Sequence, residues 1–480
     1  MTAGTSFLSG SAPASSAPVK ATALIAGCGA ALLAVRMDSP AITAVGALLV
    51  ASPLLLMFLA APTTVFDAVL VSCTVAGALV AATPINVGFR LYPLDLLLSL
   101  AVVVAIAQAA EWPTAAPSVR AWLITISLGL VGVAALVHGL RSHNPLPDAL
   151  GTFRRMLVYP VASFWIFTIF LRQPDALVRM RRLLLWSAIF LCLLAAYRVA
   201  AGTGYAAEVY AGPGNVTRYL SFTEVLGVTY GGILALTMSA LATDAKGRWL
   251  AAAAFAVFTL AVIASNYRTA WVAYAGGMML AGVILGLRTP RAAFRLLGIG
   301  VVLVIAVLVL MLITPLGPLI EEKFSAANLV ETGSWRLASW LKAFSVFREH
   351  PFFGVGMGYQ HVFFRPSADW QSVVLNQGND IHNDFLWLLV NTGLIGLAIL
   401  LATWLVVVKR GLGVARRARE WDEKVMAIGS LSQLTVVGLT ASFQPTISLG
   451  AAGVSLGLIA AILANPQVRS LADSPVPVSQ

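Results

Sequence analysis

The chain has 480 residues, of which 59% are hydrophobic and 11% are charged, and its formal net charge is +11. Soluble domains carry about 25% charged residues, so this composition excludes a soluble globular protein. The three cysteines, Cys28, Cys73 and Cys192, lie far apart in apolar runs, which excludes a disulfide framework and a cysteine-based zinc site.

The first predicted element is a tail at residues 1–20, whose Ser, Ala and Pro content favours disorder. A single transmembrane domain follows at residues 21–465, and residues 466–480 form a C-terminal tail. Apolar stretches recur in the domain, each long enough to cross a hydrocarbon core of about 30 Å as a helix, so the expected class is an all-α polytopic membrane protein. The predicted spans are residues 21–37, 41–60, 65–83, 93–110, 119–139, 155–172, 183–200, 221–242, 248–265, 269–287, 294–315, 382–408, 425–443 and 446–464.

Lysine and arginine are clustered in every second connection from the sixth predicted span onward. Short cytoplasmic loops carry such an excess of positive charge, so we interpret the clusters as topology signals rather than as a nucleic-acid site. The basic connection at residues 141–155 falls on the predicted outer side, so it is either a functional exception or a sign of miscounted early spans. The clusters contain Arg172, Arg179, Arg181, Arg182, Lys246, Arg248, Arg288, Arg291, Arg295, Lys409, Arg410, Arg416, Arg417, Arg419 and Lys424.

Three arginines on the predicted outer side are not explained by topology. They are Arg218 before the eighth predicted span, Arg268 in a very short turn, and Arg336 in the long outer segment. Each is compatible with an interfacial anchor whose long stem lets the charge reach water. An arginine near lipid is costly unless it is paired, however, and guanidinium suits bidentate contact with phosphate. Together the three predict a site for a diphosphate carried on a lipid.

The long outer segment, residues 316–381, is predicted to contain an amphipathic helix from Ser334 to Glu349, because apolar residues recur there at helical spacing. Thr332 or Ser334 is its expected cap, and its tryptophans suit a position in the membrane interface. The Gly-rich stretch FFGVGMGYQ follows. We interpret it as an ordinary flexible turn, with an anion-binding nest of backbone amides as the less favoured alternative.

The sequence NDIHNDFLWL places a polar cluster directly before the next predicted span. Asn379 or Asp380 is the expected N-cap, which puts His382 in the first turn of the helix. The positive end of the helix dipole and the nearby arginines favour a neutral imidazole, which Asp380 or Asp384 would partly oppose. His382 is therefore a candidate general base at the water–lipid boundary, or else a capping or interfacial histidine without chemistry.

The stretch HNDFLWLLVNTGLIG contains a His-Asn pair, nine further residues, and then Gly393-x-x-Gly396. Together with HPFFGVGMG upstream and an arginine-bearing helix before that, this pattern resembles the O-antigen ligase and polysaccharide polymerase family. The resemblance is close from about Gly333 to Leu397 and extends in outline to most of the chain. It implies a metal-independent membrane glycosyltransferase of the GT-C type. Because that family is described with about twelve spans, the expected total is 12 to 14 helices.

The resemblance also implies roles for particular residues. His382 matches the essential histidine of the family, and Arg268 and Arg336 match its essential arginines. Asn266 and Tyr267 separate Ser265 from Arg268, which departs from the adjacent serine and arginine that are common in the family. The implied catalytic residues are His382, Arg268 and Arg336, and the implied substrate-binding residues are Arg218, Asn383, Asp380 and Tyr267.

The implied function is transfer of a glycan from an undecaprenyl-diphosphate-linked donor to a hydroxyl of a glycan or lipid-core acceptor, with inversion. The site would face the periplasm or exterior, across the bacterial inner membrane, and would need no cofactor or metal. Whether the enzyme is an O-antigen ligase or a polysaccharide polymerase stays open. One alternative is a flippase for lipid-linked oligosaccharides, although no internal repeat with mid-membrane polar groups is found. Another is a relative of the shape-and-division peptidoglycan polymerases, for which Asp380 or Asp384 would supply a key aspartate.

Overall fold

The computed structural model describes the chain from residue 66 to residue 464 with several gaps. The predicted spans at 21–37, 41–60, 65–83 and 294–315 lie wholly or mostly outside the described residues, as do both predicted tails. The described residues are 66–67, 69–71, 85–86, 90–111, 119–173, 175–201, 218–288, 291, 294–295, 298, 326–359, 361–365, 373–378, 381–446 and 451–464.

The described part of the chain is almost entirely helical. The helices are α1 (Pro93–Glu111), α2 (Val119–Arg141), α3 (Leu146–Phe153), a π-helix (Arg154–Val158), α4 (Tyr159–Phe170), α5 (Ala176–Ala200), α6 (Phe222–Leu241), α7 (Ala245–Ala264), α8 (Arg268–Arg288), α9 (Ala326–Glu349), α10 (Asp384–Arg417), α11 (Trp421–Ala441) and α12 (Ala451–Ala464). The strands are β1 (Ile85–Asn86), β2 (Arg90–Leu91), β3 (His361–Arg365) and β4 (Val373–Gly378).

Within the described residues, eight helices are long and apolar enough to cross a membrane. They are α2, the continuous α3–π-helix–α4 unit, α5, α6, α7, α8, α10 and α11. Two shorter apolar helices lie within α1 and α12. Each of the ten predicted spans that falls mainly in the described ranges overlaps one of these helices, which confirms the all-α polytopic class.

The outer segment differs from the prediction in two ways. Helix α9 begins at Ala326, so Thr332 and Ser334 lie inside the helix and the predicted cap is wrong. The reason is that the sequence AANLVE before them is rich in good helix formers. Strands β3 and β4 form an antiparallel hairpin that was not predicted, although HVFFR and VVLNQG contain the aromatic and β-branched residues typical of strands.

Helix α6 lies at the centre of the bundle and is buried almost throughout its length. It packs against α11, where Gln433 donates to the Leu226 carbonyl at 3.0 Å and Ser430 shares a 2.6 Å hydrogen bond with Tyr230. Gly429 packs directly against the side chain of Leu234. Small residues and mutually bonded polar side chains of this kind allow close helix packing in lipid. The order of these contacts makes α6 and α11 antiparallel.

Helix α11 is also antiparallel to α8, because Gly276 faces Leu439 while Gly277 faces Val436. Helices α6 and α8 therefore begin where α11 ends. Helix α10 begins at the same place, since the backbone amide of Thr446, just after α11, donates to Asp384 at 2.6 Å. We call this the site end of the bundle.

The opposite end, which we call the basic end, carries the described members of the four lysine and arginine clusters. Some lie at the starts of α5, α7 and α11 or at the ends of α8 and α10. The others lie in the residues that follow α4 and α8. Arg295 reaches the carbonyl of Ala240 at the end of α6, and Arg181 pairs with Asp422 at 2.7 Å. The tertiary packing thus separates these clusters from the ends at which α6, α8 and α10 begin.

Candidate functional site

The turn between α7 and α8 is as tight as the sequence predicted. Helix α7 ends at Ala264 and α8 begins at Arg268, with Asn266 in the left-handed region at φ 61°. Asparagine tolerates this backbone conformation better than most residues. Trp271 donates from Nε1 to the Val262 carbonyl at 2.9 Å, which fixes the first turn of α8 against α7. Arg268 is therefore held at the positive end of a helix, where anions are favoured.

The structure brings Arg218, Tyr267 and Arg268 together. The guanidinium of Arg218 lies 4.3 Å from the ring centroid of Tyr267. Burial raises the pKa of Tyr267 above its ordinary value, and the charge of Arg218 partly opposes this. Arg218 and Arg268 are close enough to repel each other electrostatically. Two like charges held side by side in this way create a strong local attraction for an anion.

Arg198 and Glu224 hold the Arg218 segment in place and were missed in the sequence. Arg198, near the end of α5, pairs with the buried Glu224 at 2.9 Å and donates to the Tyr219 carbonyl at 2.9 Å. Glu224 also completes a capping box with Ser221 at the start of α6. The Ser-x-x-Glu spacing before an apolar run was a readable signal for this cap. The pairing with Arg198 had no local signal.

Arg336 and His382 are linked through Trp340. Trp340 lies one helical turn after Arg336 on α9, so the two share a face. Its indole donates to the carbonyl of Ile381 at 3.2 Å, and Ile381 is buried directly before His382. Both Arg336 and His382 are half-buried. The geometry therefore places the arginine-bearing face of α9 beside the segment that carries the histidine.

Helix α10 begins later than predicted. Its N-cap is Asn383, whose side chain accepts from the Leu386 amide at 3.0 Å, so the expected cap at Asn379 or Asp380 is wrong. His382 precedes the cap in the left-handed region at φ 52°, rather than in the first turn. Oδ1 of Asn383 accepts the capping bond, so its amide nitrogen and one remaining lone pair of Oδ1 are left for a substrate. Asp380 lies outside the described residues.

The Gly-rich stretch after α9 is a packed turn and not an anion nest. Its amides at Val355 and Gly356 donate to the carbonyls of Val390 and Asn391 in α10. In return, Leu394 and Ile395 donate to carbonyls of the turn, at Pro351 and Phe352. These exchanges occur where Gly393 breaks the α10 helix at φ 67° and ψ −168°. The amides are thus committed to backbone partners, which makes the nest interpretation wrong.

The same turn is fixed to the connection between α2 and α3. Asn144 donates to the carbonyl of Met357 at 3.0 Å, and the Met357 amide donates to the Ala135 carbonyl at 3.0 Å. His138 shares a 3.2 Å hydrogen bond with the Gly354 carbonyl. The basic connection at residues 141–155 therefore belongs to the site end, as the alternation of spans predicted. No sequence signal singled out His138 or Asn144.

Arg218 and Arg268 form one group of site residues, and Arg336 and His382 form another. The two groups meet at the turn after α11. Phe443 stacks against Trp340 with ring centroids 6.2 Å apart, and Thr446 bonds to Asp384 in the first turn of α10. From Gly276 to Arg268, α8 rises by about 12 Å, which carries Arg268 past the last residue of α11 to the level of this turn. Arg218, Arg268, Arg336 and His382 therefore lie at one end of the bundle.

Among the residues that the structure describes, no group of three His, Cys, Asp or Glu side chains is arranged to hold a metal ion. The positive charge at the site end instead comes from arginine side chains, which would bind phosphate or carboxylate groups directly.

Comparison with known proteins adds an independent observation. Residues 251–401 match a protein-family model described as O-antigen ligase. This range runs from α7 to the middle of α10, so it includes Tyr267, Arg268, Arg336 and His382 and excludes Arg218. None of the curated proteins compared with the chain matches it. The match supports an enzyme that transfers glycans and confirms the resemblance seen in the sequence: this multi-pass membrane protein is similar to the O-antigen ligase family over residues 251–401.

Proposed function

We propose that the protein transfers a glycan from a polyprenyl-diphosphate carrier, most simply undecaprenyl diphosphate, to a hydroxyl of an acceptor glycan. The reaction takes place at the outer face of the bacterial inner membrane, which the positive charge at the opposite end of the bundle supports. The single observation that carries the proposal is the gathering of Arg218, Arg268, Arg336 and His382 at the site end, within or beside the O-antigen ligase domain.

The arginines hold the diphosphate. Arg218 and Arg268 repel each other, so an anion placed between them relieves that repulsion and gains two cationic contacts. Arg268 stands at the first residue of α8, where the helix amides add to the attraction. Arg336 approaches from α9 on the His382 side. Tyr267 supports Arg218 through the face of its ring, and the amide nitrogen of Asn383 would donate to the substrate.

The bond exchange is a single displacement. The acceptor oxygen forms a new bond to the anomeric carbon of the donor sugar, while the bond between that carbon and the diphosphate oxygen breaks. His382 takes the proton from the acceptor hydroxyl, and the arginines stabilise the negative charge that develops on the departing diphosphate. Direct attack from the opposite side inverts the anomeric configuration. No metal ion is required for any of these steps.

An apolar groove suits the lipid part of the donor. It has a volume of about 140 Å³ and lies between α2, the π-helix with α4, α10 and α12. Met156 and Leu157 line it toward the site end, and Leu456 and Ala464 line it farther along. The lining is almost entirely apolar and therefore compatible with an isoprenoid chain, so a groove of this kind would hold part of the carrier.

The direct test is transfer by purified protein in nanodiscs, with a lipid-linked oligosaccharide as donor. We expect His382→Ala to lower turnover by about 10²–10⁴-fold, the usual worth of a general base. Arg268→Lys and Arg336→Lys should lower it by about 10²-fold or more, because lysine cannot reproduce a bidentate contact. Arg348→Lys is the matched control, since Arg348 is an exposed arginine of the same helix as Arg336.

Two outcomes would contradict this assignment. Full activity of His382→Ala would contradict the role of the histidine as the base. Loss of activity on addition of a chelator, restored only by magnesium, would contradict the binding of the diphosphate by the arginines. Incubation with the lipid-linked repeat alone separates the two versions of the enzyme. A polymerase produces a ladder of longer glycans, whereas a ligase forms no product until its acceptor is added.

A further inference from the structure

A second cationic centre lies at the site end, in the π-helix between α3 and α4. The sequence RRMLV places Arg154 and Arg155 side by side within the candidate span Leu146–Phe170. Charged residues inside a span are costly unless they are paired, and they mark functional sites by default. Single π-turns inside α-helices are also frequent at functional sites.

Arg154 is paired with an acidic neighbour. It pairs with Asp95 at 2.7 Å and lies 4.8 Å from the ring centroid of Tyr92. The same carboxylate accepts from the hydroxyl of Tyr159 at 2.6 Å and from the Tyr92 amide at 2.7 Å. The negative charge of Asp95 is thus committed to Arg154 and two neutral donors.

Arg155 is in a different position. Its Nε donates to the Gly151 carbonyl at 3.1 Å, which directs the side chain back along the helix toward the site end. Within the described ranges, no carboxylate forms an ion pair with it, and its two terminal amino groups have no hydrogen-bond partner. Arg154 repels it, whereas Tyr92, Tyr159 and Asp148 attract it without forming an ion pair. The guanidinium therefore has no ion-pair partner among the described residues.

The centre packs against the same apolar cluster as the segment that carries the histidine. Met156, the residue after Arg155, packs in one apolar cluster with Ile381 and Trp387. Trp340 of α9 contacts the same Ile381 from the arginine-bearing face. The π-helix and α9 thus both pack on the cluster that contains Ile381, the residue next to His382 in the chain.

We infer that Arg155 binds an oxyanion, a phosphate or a carboxylate, on the acceptor glycan, and that it holds the acceptor near the segment that carries His382. The identification of the ligand as the acceptor rests on the proposed function, whereas the anion site itself rests on the geometry. A planar guanidinium with two open amino groups matches either anion in a bidentate contact. The bound anion supplies the negative charge that no ion-pair partner of Arg155 supplies among the described residues.

The test measures binding without turnover. The full chain is reconstituted in phosphatidylcholine nanodiscs, which carry no anionic lipid, and saturation-transfer NMR follows methyl glucuronide, glucose 6-phosphate and methyl glucoside. We expect at least one of the two anions to bind and the neutral glucoside not to bind. Arg155→Gln should weaken anion binding by roughly 10–100-fold, the factor for losing hydrogen bonds to a charged group. Arg155→Lys should retain part of the affinity, because it keeps the charge.

Arg141→Gln is the matched control, because Arg141 is an exposed arginine at the same end of the bundle. His382→Ala should bind the anions as the wild type does, which separates this inference from the transfer proposal. The inference is overturned if neither anion binds, if the glucoside binds equally well, or if Arg155→Gln, folded by its melting temperature, binds normally. It is also overturned if phosphatidylglycerol in the disc displaces the sugar anions, since Arg155 would then hold a lipid headgroup.

Discussion

Glu224 shows how one buried carboxylate organises the approach to the site. Its Oε2 accepts from the Ser221 amide at 2.6 Å and from Arg198 at 2.9 Å, and the residue is 0% exposed. Arg198 in turn donates to the Tyr219 carbonyl, one residue from Arg218. The position of Arg218, which we propose binds the substrate, therefore depends on an ion pair that does not touch the proposed substrate.

Replacement of Glu224 by Ala should destabilise the protein by about 3–5 kcal/mol, because it leaves the Arg198 charge buried and unpaired. The melting temperature in detergent measures this effect, and Glu349→Ala, at an exposed glutamate, is the control. The double variant Arg198→Met with Glu224→Leu should recover most of the melting temperature. Its KM for the donor should stay raised, because the Arg218 segment has lost its support. Recovery of a normal KM by the double variant would show that the pair only stabilises the fold.

The break in α10 is the main feature at the scale of secondary-structure elements. Gly393 adopts φ 67° and ψ −168°, a combination that is essentially restricted to glycine. A side chain there would also collide with the Phe352 carbonyl in the turn after α9. The break frees the amides of Leu394 and Ile395, and the turn satisfies both. This explains why the HPFFGVGMG stretch and the glycine after the His-Asn pair occur together in one sequence.

Gly393→Ala should therefore weaken both folding and transfer. The backbone strain costs about 1–3 kcal/mol, and the collision with Phe352 would displace the turn that supports α9 and Arg336. The melting temperature and the transfer rate measure the two effects. Gly129→Ala is the matched control, because Gly129 lies in α2 with open space around it and alanine favours helices. Equal behaviour of the two variants would contradict the proposed role of the break.

Helix α9 has two faces with apolar residues, whereas the spacing in the sequence predicted a single apolar face. Ser339, Ala343 and Val346 are buried against the core, whereas Leu337 and Leu341 are 56% and 63% exposed. The exposed face continues through Phe352 and Phe353 to the exposed side of α10 at Leu394 and Ile395. Exposed apolar surface that joins a lipid-facing span is expected to contact lipid. The face of α9 that contains Leu337 and Leu341 is therefore the face expected to lie in the membrane interface.

At the scale of the whole molecule, the separation of charge predicts orientation. The basic end holds the described members of the four lysine and arginine clusters, and the site end holds Arg218, Arg268, Arg336 and His382. Because short basic loops stay in the cytoplasm, the site end should face the periplasm or exterior. Ser142 and Lys246 are exposed at the site end and the basic end, respectively, and so are suitable reporters.

In a background with Cys28, Cys73 and Cys192 replaced by serine, Ser142→Cys should react with a membrane-impermeant maleimide on intact cells. Lys246→Cys should react only after the cells are permeabilised. Gel shift of the labelled protein measures both reactions. The reverse pattern of labelling would place the site in the cytoplasm and would exclude a donor presented at the outer face.

The sequence by itself determined the fold class, because lipid leaves the backbone few options and apolar length alone identifies a span. It also located Arg218, Arg268, Arg336 and His382, since charge at the edge of lipid is rare enough to notice. It did not determine the N-cap of α10 or the first residue of α9, because several residues in each region can begin a helix and local signals do not rank them.

Only the tertiary structure decided which of these residues meet. The pairing of Arg198 with Glu224, the exchange of hydrogen bonds at Gly393, and the commitment of Asp95 to Arg154 join positions that are distant in the chain. Such contacts depend on how helices pack, and packing is set by the shapes of many side chains together rather than by any short stretch of sequence. For that reason the charges could be read from the sequence, whereas their partners could not.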